Sequence, residues 1–382
     1  MKKSLKFYLI LMGTVGIIVG CGVQNSNTNT DEPKVTETPV VTEIPAVTET
    51  PVVTVTPEQA EKLHPIVAEG VDYLSVEGLA LAPGTEIAML ATDSENKFYD
   101  MVKSGAVQAV ADLNQKLGYS GKQKVSLTFA APKTENAIEQ INIIDQFLDK
   151  APDALCVAFT DATACKTQLE MAKNNGIRLI AFDAADESKL TEAFVGTDNT
   201  QAATLAAKKM YEHMEDGSKI AILAHNAQKQ TGIDRYKAIT REYTRIYDEK
   251  SFRFVDVVYV AQDGRATEEI LEELLGKYPD LAGIICTDTV TTEMAVDYVR
   301  KQEVTGIKIM GFDFSEKIAA AIADGTLLGT VAQDPYNMGY ATVVAAARSV
   351  LGMNNAENIY SDHMWIDAEN LDSEKAQSLV YW

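Results

Sequence analysis

The sequence predicts an α/β protein made of two doubly wound, Rossmann-like lobes with parallel sheets. From Glu86 onward, short apolar runs alternate with longer stretches of 3.6-residue periodicity, which is typical of parallel strands covered by helices. Nine such runs over about 300 residues fit two lobes of ordinary domain size better than one. The predicted strands are residues 86–92, 124–130, 154–160, 178–183, 219–224, 254–260, 282–287, 308–313 and 327–333.

Residues 1–20 have the pattern of a signal peptide. Three lysines precede an apolar run, residues 7–19, which is too short to span a bilayer. The run ends in small residues followed by Cys21 and resembles a bacterial lipobox, with Cys21 as the lipidation site. The sequence thus predicts a membrane-anchored lipoprotein on the extracytoplasmic face of a cell membrane. An ordinary secretory signal is the alternative.

Residues 21–57 are predicted to be a disordered tether of Thr, Pro, Val and Glu. With no aromatic residue between positions 22 and 56, the segment has too little apolar surface to offset the entropy of ordering. Its regular prolines favour polyproline II, so it could reach on the order of 100 Å and lift a domain from a Gram-positive surface. The next segment, 58–84, shows some helical periodicity that Pro65 interrupts. It either extends the tether or packs on the first lobe.

The charge and the cysteines exclude several classes of protein. The formal net charge is −21, spread along the chain, whereas nucleic-acid binding requires a basic surface. After Cys21, three cysteines remain, and Cys156 and Cys286 lie in apolar runs where a thiol acts as a small hydrophobe. No disulfide framework is implied.

The strand ends indicate where a ligand would bind. In open parallel sheets, ligands bind outside the carboxyl ends of the strands, where loops and helix N-termini converge. Aspartate at such an end is also a favoured helix N-cap, so both interpretations stay open for each aspartate. Between Asn96 and Leu117, by contrast, an apolar helical stripe is assigned to the core. The polar residues at strand ends are Thr92, Asp161, Asp183, Asp288, Asp313 and Gln333.

Over residues 85–366 the chain resembles the ribose-binding-protein group of periplasmic sugar-binding proteins. The motifs that carry the resemblance are IAMLATDSENKFYDMVKSGA, LIAFDAAD, VGTDN, MGFDFSE and LLGTVAQDPYNMG. The resemblance implies a type I periplasmic-binding-protein fold, with two lobes joined by three crossing strands and a ligand in the cleft. The crossings would fall at 195–199, 332–335 and 361–365. The first lobe would comprise 85–196 plus 334–360, and the second 197–333 plus 361–382.

The resemblance also implies a set of ligand contacts. Sugar rings present C–H faces to aromatic rings and hydroxyl edges to carboxylates and amides, which is the chemistry of these residue types. The first-lobe loop would contribute Thr92, Asn96, Phe98 and Tyr99; the other positions are Asp161, Asp183, Gln262, Asp288, Asp313 and the hinge residue Gln333. For Phe98 and Tyr99, packing of the helix start against the sheet is the alternative.

Three positions depart from the family pattern. Ala184 and Ile233 stand where sugar-binding members have arginines, and Gln262 stands where an aromatic residue is expected. Arg235 is expected to face away from the cleft, since it lies two residues beyond Ile233 on a helix. The cleft would then hold several carboxylates without a cation, which is costly. Either the ligand supplies a positive charge, as an amino sugar would, or Lys229 or Arg235 enters the cleft.

The resemblance implies delivery of a sugar to the permease of an ABC transporter. The alternative is a ligand sensor that acts on a membrane receptor kinase through the same closure. No catalytic motif such as a P-loop, GxSxG or HExxH is present, and the four histidines lack metal-ligand spacing. The sequence therefore predicts a monomeric binding protein with no cofactor.

Overall fold

The computed structural model of the protein describes residues 66–246, 252–260 and 265–381. The predicted signal peptide, tether, Cys21 and Gln262 lie outside them. All nine predicted strands are present, with bounds that differ by at most three residues from those predicted. The strands are β1 Val67–Ala68, β2 Val71–Asp72, β3 Glu86–Leu90, β4 Ser126–Ala130, β5 Ala154–Val157, β6 Arg178–Phe182, β7 Ala193–Thr197, β8 Ser218–Ala224, β9 Phe252–Tyr259, β10 Leu281–Cys286, β11 Lys308–Phe312, β12 Gly329–Gln333, β13 Asn358–Ser361 and β14 His363–Ile366. The helices are α1 Lys97–Leu117, α2 Ala137–Lys150, α3 Lys166–Asn174, α4 Asn199–Tyr211, α5 Gln230–Ile246, α6 Thr267–Lys277, α7 Thr289–Lys301, α8 Glu316–Ala323, α9 Pro335–Val350 and α10 Glu374–Gln377.

The first lobe is built on a six-stranded sheet in the order β4-β3-β5-β6-β7-β13, and every neighbouring pair in it is parallel. In β3, Ile87 and Met89 pack on one face with α1 and α9. Ala88 and Leu90 pack on the other face with α2 and α3. Because both faces are covered, the central strands β3, β5 and β6 are mostly apolar runs, which is why they could be predicted from the sequence.

The second lobe has a six-stranded sheet in the order β9-β8-β10-β11-β12-β14. Its pairs are parallel except for β14, which runs antiparallel to β12. One apolar cluster joins this sheet to α6, α7 and α8, and a second joins it to α4 and α5. The predicted fold class, two doubly wound parallel-sheet lobes, is therefore confirmed.

The chain passes between the two sheets three times, after β7, after β12 and after β13. These passages coincide with the crossings implied at 195–199, 332–335 and 361–365. The hydroxyl of Thr197, at the end of β7, donates to Oε1 of Gln333, at the end of β12, over 2.7 Å. Because so few residues connect the lobes, a rotation confined to these strand ends can open and close the cleft.

Residues 66–84 pack on the first lobe and are not helical. Strands β1 and β2 form a short antiparallel pair, and Gly70 and Gly78 have positive φ angles of 79° and 77° that end any helical continuation. Tyr73 is fully buried in the core of the first lobe, and its hydroxyl accepts a hydrogen bond from the Ala356 amide over 3.0 Å. Of the two alternatives for this segment, the described part fits packing.

The cysteines of the described residues, Cys156, Cys165 and Cys286, are buried and unpaired. Burial raises the pKa of the Cys165 thiol to about 12, so this thiol stays protonated at neutral pH. All three therefore pack as small apolar groups.

Candidate functional site

The carboxyl ends of the two sheets face each other, and the side chains there enclose a small cavity, the inner cavity. Its volume is about 30 Å³, room for about one water molecule. The lining groups therefore contact one another across the lobes, and any larger ligand requires the lobes to open. The inner cavity is lined by Asp93, Asn96, Phe98, Tyr99, Glu135, Asp183, His225, Lys229, Thr231, Arg235, Asp288, Thr289, Val290, Asp313 and Gln333.

Seven of the predicted site residues lie in this lining. Of the other three, Thr92 is fully buried behind it. Asp161 instead lines a neighbouring cavity of about 440 Å³, which we call the outer chamber. The Asp161 carboxylate also accepts a hydrogen bond from the Ala164 amide over 3.0 Å. Gln262 lies outside the described residues.

Thr92 and Tyr99 form a hydrogen-bonded chain that ends on Asp183. The Thr92 hydroxyl donates to the Tyr99 hydroxyl over 2.9 Å, and the Tyr99 hydroxyl donates to Asp183 Oδ2 over 2.6 Å. Burial, reinforced by the Asp183 charge, raises the pKa of Tyr99 well above its ordinary value, so the phenol keeps its proton. Thr92 thus orients Tyr99 and does not face the inner cavity.

Asn96 and Phe98 organise the start of α1. The Asn96 side chain caps the helix by accepting from the Phe98 amide over 3.0 Å. The ring of Phe98 packs edge-to-face on Tyr99 at 5.3 Å and on Tyr381 at 6.2 Å. Phe98 and Tyr99 are buried in the first-lobe core and also line the inner cavity. Packing and exposure to the cleft therefore coexist at these two positions.

Asp313 is the centre of the second-lobe network. Its carboxylate accepts from the amide and the hydroxyl of Thr289, both over 2.8 Å, and from Gln333 Nε2 over 2.5 Å. Gln333 at the same time accepts from Thr197 in the other lobe. The hinge glutamine therefore couples a cleft carboxylate to the strand that crosses between the lobes.

Asp288 is the N-cap of α7. Its carboxylate accepts from the Thr291 amide over 2.8 Å and completes a capping box with the Thr291 side chain. The residue also lines the inner cavity. The cap interpretation that the sequence left open is correct here, and it leaves Asp288 less free to accept from a ligand.

The expectation that Arg235 faces away from the cleft is wrong. Arg235 is buried and lines the inner cavity, whereas Ile233 lines a separate cavity. Two residues on a helix are about 200° apart, so only one of this pair can face the cleft. The Arg235 guanidinium donates to Asn199 Oδ1 over 2.8 Å and to the Thr287 carbonyl over 2.6 Å. A cation is therefore present although Ala184 and Ile233 are not arginines.

Three side chains of the second lobe contact the carboxylate of Glu135, which belongs to the first lobe. Lys229 Nζ lies 2.7 Å from Glu135 Oε1, while Asn226 Nδ2 donates to Oε2 over 2.8 Å and His225 Nδ1 lies 3.4 Å from it. The Thr92 hydroxyl contacts the same carboxylate from within the first lobe at 3.2 Å. Strand ends did not indicate Glu135, which lies five residues beyond β4. We call Glu135, His225, Asn226 and Lys229 the cross-lobe cluster.

The buried charges of the cleft compensate one another. Burial alone would raise the pKa of Glu135, but Lys229 and His225 outweigh it and hold this pKa below its ordinary value. Burial alone would lower the pKa of Lys229, but the charge of Glu135 raises it. The pKa of Lys229 therefore lies well above its ordinary value. For Asp183, burial dominates and the pKa is raised, although Lys229 Nζ is only 3.9 Å away.

Comparison with known proteins places this architecture in a family. The model of the family described as periplasmic binding protein domain matches residues 87–353. The ribose import binding protein of Bacillus subtilis is 25% identical over 54% of this chain, a match that spans just under two thirds of that protein's length. The ribose import binding protein of Escherichia coli is 23% identical over 76% of this chain and 93% of its own.

A solved structure shares the fold. The ABC transporter solute binding protein of Agrobacterium vitis, with bound D-fucose, superposes with a TM-score of 0.70 over 78% of this chain and all of that chain, at 23% identity. Within the described ranges, no helix of this chain has the length and apolarity needed to cross a membrane.

Proposed function

This chain belongs to the periplasmic binding protein domain family, and on that premise we propose that it captures a sugar between its two lobes and delivers it to an ABC importer. It is an extracytoplasmic binding protein and not an enzyme. Relatives named for ribose import, and a neighbour with bound D-fucose, support the choice of a sugar.

One observation carries the proposal. The carboxylates of Asp183 and Asp313, one in each lobe, line the same inner cavity together with the phenol of Tyr99 and the amide of Gln333. Carboxylate and amide groups suit the hydroxyl edge of a sugar, and the aromatic ring suits its C–H face. Closure would bring both carboxylates onto one ligand.

The cations of the cleft remove the reason for expecting an amino sugar. An amine was considered because the cleft lacked an assigned cation. Lys229 and Arg235 now supply two positive charges among the buried carboxylates. A cationic ligand would add a third charge and would compete with Lys229 for Glu135 and Asp183.

The proposals for the membrane anchor and for the partner protein rest on the sequence. We propose that lipid on Cys21 holds the protein at a Gram-positive cell surface and that the 21–57 segment is the spacer. The protein would act as a monomer and present its closed form to the permease. A sensor for a membrane kinase would use the same closure.

Thermal-shift screening tests the proposal. A panel of neutral aldoses, ketoses and polyols, with glucosamine and galactosamine as cationic counterparts, should contain a neutral sugar that stabilises the protein, by about 2.7 kcal/mol at a hundredfold excess over Kd. Asp313→Asn should lose most of this shift, whereas Asp372→Asn, at an exposed position of the second lobe, should keep it. Stabilisation by the amino sugars alone, or by no sugar at all, would refute the proposal.

A further inference from the structure

The outer chamber adjoins the inner cavity and is far larger. Its volume is about 440 Å³, against about 30 Å³ for the inner cavity. The two share Asp93, Glu135, His225 and Val290 as lining residues, so they adjoin at these side chains. Small-molecule sites in proteins occupy roughly 300–1,000 Å³. The space that could hold a sugar-sized group in this closed arrangement therefore lies in the outer chamber.

The walls of the outer chamber come from both lobes and mix polar with apolar groups. Ala137 and Val290 provide apolar surface, and the Val290 side chain is unusually exposed for its type. Asp161 from the first lobe and Gln228 from the second provide hydrogen-bonding groups. Such a mixture suits a ring that carries both C–H faces and hydroxyls.

Thr160 is a second feature of the outer chamber. It lines the outer chamber and is only 8% exposed, yet its hydroxyl oxygen has no hydrogen-bond partner in the part of the chain that the structure describes. Leaving a buried hydroxyl unpaired costs about 1–3 kcal/mol. The Thr160 backbone amide, by contrast, is paired with Gln140 Oε1 over 3.1 Å. The oxygen itself is closed off from the chamber, so the side chain would have to rotate before a ligand hydroxyl could supply the missing partner.

We propose that the outer chamber is a subsite for a second sugar unit. The ligand is then a disaccharide or a glycoside whose terminal ring enters the inner site, while its second unit lies between Ala137, Thr160 and Gln228. This inference rests on the proposed sugar-binding function and adds to it the length of the ligand.

Isothermal titration calorimetry on the folded mature protein tests the subsite with matched pairs of sugars. The probes are D-galactose with lactose, D-glucose with cellobiose, and D-xylose with xylobiose, so that each disaccharide ends in the ring of its monosaccharide. At least one disaccharide should bind about tenfold tighter or more than its monosaccharide, a difference of 1.4 kcal/mol.

Two substitutions separate the subsite from the inner site. Ala137→Trp fills the outer chamber and should abolish the gain of the disaccharide while leaving the monosaccharide Kd within about threefold. Its control is Ile138→Trp, since Ile138 is 71% exposed and does not line the chamber. Thr160→Val removes the unpaired hydroxyl at nearly constant shape and should weaken only the disaccharide. Its control is Thr305→Val, at an exposed position that lines neither the inner cavity nor the outer chamber.

The outcomes are distinct. Equal affinities for the two members of every pair, or an equal loss of both sugars in Ala137→Trp and Ile138→Trp, would overturn the subsite and leave the sugar-binding function standing. Binding of no sugar of either length would overturn the proposed function, and the subsite with it.

Discussion

Asp183 and Asp313 occupy equivalent positions in the two lobes and share an unusual backbone. Their φ angles are +55° and +73°. The Asp183 amide donates to the Val195 carbonyl and the Asp313 amide to the Val331 carbonyl, both over 2.9 Å. A left-handed conformation at a non-glycine residue costs about 1–3 kcal/mol and is concentrated at functional sites, and aspartate is among the residues that tolerate it. The same costly backbone conformation recurs at two carboxylates that face each other. This favours the interpretation that the two residues are selected for ligand binding and not for stability.

Asp183→Asn should therefore separate stability from binding. The raised pKa of Asp183 means that its charge is disfavoured in the folded state, so the neutral variant should be as stable as the wild-type protein or more so at pH 7. This gain should shrink as the pH falls through the raised pKa of folded Asp183 and should be gone below the ordinary aspartate value of about 3.9, where both states bind the proton. Sugar affinity should fall about 10- to 100-fold, because a hydrogen bond to a charged group contributes about 1.5–3 kcal/mol.

Urea unfolding at several pH values and calorimetry measure the two effects. Asp149→Asn is the control, since Asp149 is an exposed first-lobe aspartate that lines neither the inner cavity nor the outer chamber. A variant that loses stability at pH 7 would contradict the argument, as would one that keeps full affinity.

Only some of the residues that line the cleft could be predicted from the sequence. Asp183, Asp313 and Gln333 were predicted because they lie at the carboxyl ends of strands, which converge at one edge of each sheet. Glu135 and Lys229 each lie five residues beyond a strand, in loops whose path no periodicity describes. The orientation of Arg235 was predicted wrongly because Ile233 was assigned to the cleft-facing position of α5, and two residues on a helix point about 200° apart.

At the scale of elements, prediction succeeded where strands are buried on both faces. The nine predicted strands are mostly apolar runs, whereas β7 and β14 coincide with the predicted crossings 195–199 and 361–365, and β13 was not predicted as a strand. β13 reads NIYS and alternates between exposed and buried residues at the edge of the sheet, so its apolar signal is weak. The pair β1–β2 is two residues long in each strand, too short for any period to show.

The contact of α1 with α9 depends on two glycines that no sequence pattern indicated. A Cβ built on Gly339 would lie 1.9 Å from the Val102 carbonyl oxygen, and one built on Gly105 would lie 1.8 Å from the Tyr336 carbonyl oxygen. Both obstacles are backbone atoms of the facing helix, which a rotamer change cannot remove. The two helices can therefore approach this closely only with glycine at both positions.

Gly339→Ala should thus destabilise the first lobe by about 1–3 kcal/mol or more, because the helices must separate within a packed core. Chemical denaturation measures the change. Gly276→Ala in α6 is the control: Gly276 is exposed with no atom within 4 Å of an added Cβ, so alanine should stabilise by about 0.5–1 kcal/mol. Equal effects of the two substitutions would show that helix propensity, not the close approach, governs stability here.

At the scale of the whole molecule, the cross-lobe cluster makes closure of the two lobes depend on the ionisation of Glu135. Glu135 belongs to the first lobe, and its partners Lys229, Asn226 and His225 belong to the second, so these contacts exist only while the cleft is closed. In the open form the same groups are hydrated and the ordinary glutamate pKa of about 4.3 applies. The pKa of Glu135 in the closed form is lower. By linkage, Glu135 stabilises closure above the open-state pKa and loses this contribution as the pH falls through the closed-state pKa.

Glu135→Gln should shift the protein toward the open form at neutral pH. Each hydrogen bond to a charged group contributes about 1.5–3 kcal/mol, so the ratio of closed to open molecules should fall about tenfold or more. Small-angle X-ray scattering would report this as a larger radius of gyration, and the difference between variant and wild type should vanish in acid, where Glu135 is protonated. Glu139→Gln, at an exposed position in the first turn of α2, should scatter like the wild type at every pH. If Glu135→Gln stays as compact as the wild type at pH 7 and responds to acid in the same way, the cross-lobe cluster does not hold the lobes together, and closure must come from the hinge and the ligand alone.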